Sequence, residues 1–428
     1  MTYAVVGTGA RHRMFTLAAT ETHGGPEALV GLCDSNPVRL ARAASLVPAV
    51  GNGVPIYAAN EFDRMLAEQK PKTVIVTVPD CHHHEYVVRA LHAGCDVMTE
   101  KPMTTDLGRL KAILDAQAAT GGNVTVTFNY RYTPARTQLK DMLLKGAIGD
   151  IVAVDFRWHL DRVHGADYFR RWHREKMNSG GLLVHKSTHH FDLMNWWLGA
   201  RPKSVTAHGD LKFYRHEMAK RLGLGAHGPR CQVCDLECVY RLDIADDPNL
   251  KALYLDAESE DGYLRDVCVF EPGTTIEDTM QLSVSYDSGA TMTYSLCAYS
   301  PWEGLEILFY GTEGTLAHKH IEVHGVFGGK RDRAVDDNME TVLHRAGEKP
   351  RSIDVWQGQG DHGGGDPVML KYLFDPEAAG EDPYGRGSTH IDGAWSIITG
   401  IAGNVSMAER REVDVDALLA EHGIRLLR

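Results

Sequence analysis

The chain has no apolar run long enough to cross a bilayer, no dense block of lysine and arginine, and only eight cysteines in 428 residues. The first absence excludes a helical membrane span. The second, with a formal charge of -12, argues against nucleic acid or an anionic membrane as partner. Cysteines this sparse do not make a disulfide scaffold, and most stand singly inside apolar segments, as reduced core cysteines do. The amino terminus also lacks the basic start and cleavage site of a signal peptide, which makes cytoplasm the expected compartment. What is present is an ordinary globular composition, 43% hydrophobic and 24% charged. The length suits about two or three domains, because single cores stop growing near ~250 to 300 residues.

The first third of the chain alternates strands and helices. Tyr3-Ala4-Val5-Val6 is a short apolar run that enters the glycine-rich turn Gly7-Thr8-Gly9-Ala10-Arg11-His12 and then a predicted helix. In that setting backbone N–H groups and a helix start can cradle a pyrophosphate. A second strand, Leu29 to Cys33, ends at Asp34, 25 residues after Gly9. A dinucleotide fold places there the carboxylate that accepts from both ribose hydroxyls, and an acid disfavours a 2'-phosphate, so NAD is expected over NADP. The third glycine of the fingerprint would fall at position 12, which is histidine, so the helix approaches the strand differently. Thr73 to Val78 is a third strand ending in Pro79-Asp80, His83 to Ala93 a helix, Asp96 to Thr99 a strand ending in Glu100-Lys101-Pro102, and Val124 to Phe128 a strand leading to Asn129-Tyr130-Arg131-Tyr132. Such alternation predicts a doubly wound parallel sheet with ligands beyond the carboxyl ends of its strands.

The Gly-x-Gly turn, the Pro79 to His83 segment, Glu100-Lys101-Pro102, Asn129 to Tyr132, Gly180-Gly181 to Asp192, and Gly360 to Asp366 recur in this order in the glucose-fructose oxidoreductase, inositol dehydrogenase and MocA family, which the chain resembles over nearly its whole length. The resemblance implies an NAD-binding Rossmann domain over about 1–127. It implies a second α/β domain over about 128–428, for substrate binding, catalysis and oligomerisation, with a large, mostly antiparallel sheet. One open face of that sheet is often used for dimer or tetramer contacts, so a homodimer or homotetramer is expected. It also implies action on sugars, polyols and their derivatives. The expected cofactor contacts are Gly7, Gly9, Ala10, Arg11, His12, Asp34, Pro79, His83, Glu100, Lys101, Asn129 and Arg131. Of the three consecutive histidines 82 to 84 only His83 is expected near the cofactor, since adjacent residues on a helix point apart.

The later sequence reads as strands in succession. Ile151 to Trp158 and Thr279 to Tyr286 alternate, the latter followed by the turn Asp287-Ser288-Gly289-Ala290 and a partner strand from Thr291 to Leu296. Glu306 to Gly311 repeats the pattern, and the whole predicts a meander. Residues 388 to 408 read as a helix with Ile391, Ala394, Ile398 and Ile401 on one side, packing on that sheet.

The catalytic expectation centres on 180 to 199. If the stretch after the paired glycines is one helix, Lys186, His189 and His190 share a face, as do His185, His189 and Asp192, and Gly199 stops it. Oxidising a secondary alcohol needs a base, a charge on the developing alkoxide and a hydride acceptor. His189 is the expected base and matches the family's histidine. Lys101 matches the family's lysine, and burial beside Lys186 would depress the pKa of both amines. Many relatives carry an acid where this chain has His185, so His185 either binds an unusual substituent or serves as a second acid/base. The Lys-Ser or Lys-Cys arrangement of one branch is kept as Lys186-Ser187. Asp192 would orient His189 or hold structure. A metal on His185, His189 and Asp192 is the rival reading, but hydride transfer needs none and no metal is expected in the active site. Tyr168, Arg171 and Trp172 form a polar and aromatic run suited to substrate, or else a solvated loop. His362 and Asp366 flank three glycines and are expected at the substrate pocket with His185 and His190.

Cys231, Cys234 and Cys238, preceded by His227, lie in an expected insertion near 215–245. They suggest a compact structural zinc site, yet no second Cys-x-x-Cys pair completes it, and zinc, free thiols and a labile disulfide all stay open. Three functions follow: an NAD-dependent sugar oxidoreductase; an NAD-dependent glycoside hydrolase working by transient oxidation, elimination, water addition and re-reduction; and a non-catalytic NAD or sugar-binding regulator.

Overall fold

The computed structural model describes residues 1–47, 53–322 and 338–426. Its first sheet contains β1 (Tyr3–Val6), β2 (Leu29–Asp34), β3 (Ile56–Ala58), β4 (Thr73–Val76), β5 (Asp96–Thr99) and β6 (Val124–Val126), in the order β3-β2-β1-β4-β5-β6. Every pair is parallel. β1 and β4 are buried on both faces, which is why their sequences run apolar without alternation. β3 escaped the sequence reading because it has three residues, of which only Tyr57 is buried. The strand order reverses between β1 and β4, and in such sheets the ligand crevice lies beyond the carboxyl ends at that point.

Local signals set the helices. Asn36 caps Pro37–Ser45 by accepting from the N–H groups of Val38 and Arg39, with proline at the first turn. Thr389 and Asp392 form a capping box that starts His390–Glu409.

The second sheet adds β7 (Ile151–Asp161), β8 (Pro202–Asp210), β9 (Thr279–Tyr286), β10 (Thr291–Ser300), β11 (Gly304–Gly311), β12 (Gly314–Ile321), β13 (Asn338–Arg345), β14 (Arg351–Ile353) and β15 (Val413–Asp414), ordered β14-β13-β12-β11-β7-β10-β9-β8-β15. All pairs are antiparallel except β7 with β10. The predicted hairpin of β9 and β10 is present, but the meander is interrupted: β7 lies between β10 and β11. Alternation identifies a strand and its buried face but says nothing of its neighbour. The helix His390–Glu409 packs against β8 as expected, burying Ala394, Ile398 and Ile401. The opposite face carries the ion pairs Arg157–Glu306 (3.8 Å) and Lys319–Glu306 (3.1 Å).

Two features depart from a simple front and back division. The helix that follows the left-handed residues His362, Gly363 and Gly364 and ends at Phe374 returns to the first sheet, where Met369 joins Tyr3, Val5 and Phe15 in one core cluster. The insertion is also wider than 215–245, filling the whole connection from β8 to β9 with short helices around a small cluster of Leu242, Ile244, Leu250 and Tyr254. Among the described residues no helix is long and apolar enough to cross a membrane.

Candidate functional site

The crevice begins at the glycine turn. Gly7 has φ +89° and its N–H donates to the Cys33 carbonyl (2.8 Å). A Cβ there would stand 2.6 Å from the Val78 nitrogen, whereas one on Gly9 would meet nothing within 4 Å. Gly7 thus lets the turn press against the end of β4, and Gly9 leaves space above it. Gly7→Ala is therefore expected to lose most nucleotide affinity, since it brings both a steric overlap and left-handed strain. Fluorescence titration with NADH checks this, and binding within about twofold of the parent protein would contradict it.

Asp34 ends β2 with one carboxylate oxygen accepting from the Thr8 N–H (2.5 Å) and hydroxyl (2.9 Å), and the other from the Asn36 N–H (2.7 Å). It braces the turn from the end of β2. His12, in place of the third glycine, sets Nδ1 2.5 Å from the Gly9 carbonyl oxygen. The helix behind it, His12–Leu17, has only six residues. Ala10 is half-buried in the turn. Arg11 reaches across the crevice to Glu100 (Nε–Oε1 2.5 Å) and lies 3.7 Å from Asp366.

Several expected cofactor contacts also have partners within the protein. His83 sets its two ring nitrogens 2.8 and 2.9 Å from the carbonyl oxygens of Pro102 and Val78, tying together the segments that follow β5 and β4. Pro79 caps the short turn Asp80–His82. Arg131 faces away from the crevice. It donates to both carboxylate oxygens of Asp192 (2.8 and 2.7 Å) and to Asp392 (2.9 Å), with its side chain only 3% exposed. This corrects both the cofactor role given to Arg131 and the idea that Asp192 orients His189. Asn129 donates to Asp366 (2.5 Å), which accepts from His362 (2.9 Å).

The central segment is two helices, not one. Leu182–His185 ends at Lys186, and Thr188–Leu198 runs on to Gly199, whose φ of +61° makes the expected stop. The break spoils the shared faces drawn from an unbroken helix. His189 stacks on Tyr130 with ring centroids 4.3 Å apart, and its Nδ1 is buried without a hydrogen-bond partner. Burial, with the charges of Lys101, Lys186 and His362, lowers its pKa well below the ordinary value. His190 turns the other way, into the sheet: Nδ1 lies 2.8 Å from the Tyr294 hydroxyl, the ring packs on Trp158 at 4.4 Å, and the residue is fully buried. The substrate role expected of His190 is therefore corrected to a structural one. With His185, His189 and Asp192 committed to three different directions, the metal reading of that trio has no geometry.

Both lysines lie at the crevice. Lys101 follows β5, and its Nζ donates to the His185 carbonyl (3.4 Å). Burial pushes its pKa down to about 8, Lys186 and Arg11 acting in the same sense against Glu100 and Asp80. Lys186 places Nζ 4.6 Å over the Trp158 ring and 3.8 Å from Glu303, and burial lowers its pKa too. The expectation that burial depresses both amines agrees with this.

Four groups that the sequence reading passed over complete the cluster. Asp80 lies 2.5 Å from His185 Nδ1. A carboxylate thus stands against His185, supplied by the segment that follows β4. His173 stands 4.2 Å from the His185 ring, and Tyr168 and Trp172 lie at 5.3 and 5.9 Å. Tyr168 is buried, so the solvated-loop alternative fails for it; Arg171 pairs with Asp167 (3.2 Å). A polar chain then runs from Tyr168 to His164 Nε2 (2.9 Å), from His164 Nδ1 to Glu303 (2.7 Å), and from Glu303 to Lys186. Asp80, inside the recurrent Pro79 to His83 segment, was findable. Glu303, an acid at a turn between β10 and β11, gave no local signal.

The parallel sheet, its glycine turn and the amines at the crevice define a nucleotide-binding oxidoreductase with a separate antiparallel platform. The chain belongs to the Gfo/Idh/MocA oxidoreductase family: residues 1–128 match its NAD-binding Rossmann fold and residues 140–415 its C-terminal alpha/beta domain. A Bacillus subtilis (strain 168) protein named "Putative oxidoreductase YteT" is 36% identical over 408 residues, 91% of this chain and 92% of its own. D-glucoside 3-dehydrogenase of Escherichia coli (strain K12) is 29% identical over 196 residues, 46% of this chain and 54% of its own. Among solved structures, levoglucosan dehydrogenase in complex with NADH and L-sorbose shares the fold with a TM-score of 0.66 at 18% identity, over 97% of this chain and 98% of its own.

Proposed function

We propose that the protein transfers hydride between a secondary hydroxyl of a sugar, sugar derivative or glycoside and the nicotinamide of NAD. The observation that carries this reading is the closeness of Lys101 and Lys186 to His189, whose pKa their charges and burial lower, in a chain that also has the glycine turn of Gly7 and Gly9. Relatives named for a D-glucoside and for inositol support the substrate class. The turn suits the cofactor, because the space over Gly9 would admit a pyrophosphate and Asp34 stands where a ribose would be held. Asp34 also supports NAD over NADP: Arg39, 3.8 Å from it, is paired with Asp261 instead of standing free for a 2'-phosphate.

The bound nicotinamide would supply the hydride acceptor. His189, already neutral, takes the hydroxyl proton as the C–H hydride leaves, and a carbonyl remains. Lys101 and Lys186 hold the oxygen while its charge develops. Tyr168, Trp172 and His185 would line the far side of the substrate, and His362 with Asp366 the near side.

A panel of sugars, polyols and glycosides with NAD, followed by NADH absorbance, tests the reading; no turnover in either direction with any of them would overturn it. The pH profile tests the roles. Lys101 must be charged to steady the oxygen, so kcat/KM is expected to hold steady at lower pH and to fall as pH rises through about 8. His189 contributes no rising limb near its ordinary value of ~6.5, because its proton is already lost below that. A rise centred near ~6.5 would contradict the assignment of the base.

A second reading has its own support in the Asp80–His185 pair, an extra acid/base beside the crevice. That pair suits a glycosidase cycle of oxidation, elimination, water addition and re-reduction, with no net redox change. NAD-dependent release of an aryl alcohol without accumulation of NADH would favour it.

A further inference from the structure

The connection from β8 to β9 reaches the main core only near its two ends, through Tyr214, Ala219, Val269, Phe270 and Ile276, and at Tyr240. It contains no strand of either sheet, its helices are a turn or two long, and its own apolar cluster is four buried residues. A segment with so small a core of its own is the kind that a cross-link or an ion fastens. Cys231, Cys234 and Cys238 lie in it, and the chain then returns through the bridge between Arg230 and Val267 to bring Cys268 beside them. All four cysteines line one cavity of about 30 Å³, closed otherwise by Leu224, Tyr240, Val269 and Phe270. The fourth partner that the sequence did not reveal is thus 30 residues downstream of Cys238.

The sulfurs are furnished as thiolate ligands are. The N–H of Gly228 donates to Cys234 Sγ (3.3 Å), that of Tyr240 to Cys238 Sγ (3.3 Å) and that of Leu242 to Cys231 Sγ (3.4 Å). Arg170 brings a guanidinium N–H to 3.8 Å from Cys231. Donors on three of the four sulfurs stabilise negative charge there, which neutral thiols have little use for. Gly228 is needed for its approach, since a Cβ on it would stand 3.3 Å from the Cys234 Cβ. His227 also lines the cavity, but its ring nitrogens face elsewhere: Nε2 lies 3.3 Å from His216 Nδ1 and Nδ1 3.2 Å from the Gly228 carbonyl oxygen.

We propose that Cys231, Cys234, Cys238 and Cys268 bind one zinc ion as a four-thiolate structural site. Among the described residues no three histidine, cysteine, aspartate or glutamate side chains are gathered tightly enough to hold an ion as they stand. The ion therefore draws the sulfurs inward by rotation of the cysteine side chains, towards zinc–sulfur separations of ~2.3 Å. Four S–H protons pass to solvent as four Zn–S bonds form, and nothing is oxidised or reduced. Sulfur-only ligation with no open position gives the ion no catalytic part. Its effect is to hold the insertion against both halves of the site: Ala257 accepts from Asn36 (3.0 Å), Asp261 pairs with Arg39, Tyr240 accepts from Arg170 (2.8 Å), and Arg265 lies 2.7 Å from Asp167.

Metal analysis of the full-length protein, purified reduced from zinc-supplied cells, is expected to find about one zinc per chain. Cys231→Ser and Cys268→Ser should each bring that below about a tenth, whereas Cys297→Ser, outside the cavity, should keep it. Because a cysteine variant can fail to fold, the parent protein is also stripped of metal and titrated with cobalt(II). Saturation at one equivalent, with thiolate-to-cobalt charge-transfer bands and the visible bands of a tetrahedral ion, supports the site. Metal-free protein with all eight thiols reactive, a disulfide among these four cysteines, or octahedral cobalt spectra would overturn it.

Discussion

Replacement of His189 by asparagine is expected to lower kcat by roughly 10²- to 10⁴-fold, the usual worth of a positioned general base, while NADH affinity stays close to that of the parent protein. The imidazole stacks on Tyr130 and has a buried Nδ1 with no partner. Asparagine fills less of that space but leaves the neighbouring charges in place. Lys101 and Lys186 remain to hold the oxygen, so a residual rate above that of the uncatalysed reaction is expected, with a steeper dependence on hydroxide. Stopped-flow measurement of NADH formation separates the chemical step from product release. A kcat within about threefold of the parent enzyme would remove His189 from the proton path. His190→Asn provides the contrast: its ring is locked between Trp158 and Tyr294, so the expected loss is in stability.

Arg131→Met is expected to destabilise the protein by about 3 to 5 kcal/mol, the cost of removing one partner from a buried ion pair. The guanidinium joins three segments: the turn after β6, the helix carrying His189 through Asp192, and the start of His390–Glu409 through Asp392. Methionine matches much of its volume, so the loss isolates the charge. It leaves Asp192, almost fully buried, with no cation. The double replacement Arg131→Met with Asp192→Asn should recover part of that loss. Urea unfolding monitored by tryptophan fluorescence reads both, and a change under about 1 kcal/mol for the single variant would show that water takes over the pairing. Cofactor affinity should change far less than stability, which distinguishes a fastening residue from a nucleotide contact.

Much of the site was legible where its signal is local. Gly7, Gly9 and Asp34 declare themselves through a strand, a turn and a spacing. Gly199 announces the end of its helix, and the lysines and His189 stand inside ordered motifs. The errors share one cause. Arg131 and His190 belong to the same motifs as the residues at the crevice, and motif membership does not say which way a side chain points. The single helix drawn through 182–198 failed at Lys186-Ser187, where Ser187 bonds the Tyr294 hydroxyl, a partner from another strand.

Taken alone, the amino-acid order determined the alternating nucleotide-binding half, the antiparallel character of the second half, and the residue types on which the chemistry depends. Each follows from propensity and periodicity among near neighbours, which neighbouring residues themselves carry. Only the tertiary structure decided that Asp80 faces His185, that Glu303 reaches Lys186, that Asp192 belongs to Arg131, and that Cys268 joins three cysteines far upstream. Those pairings span large stretches of chain and depend on which buried surfaces close against one another, a choice made by packing rather than by any local rule.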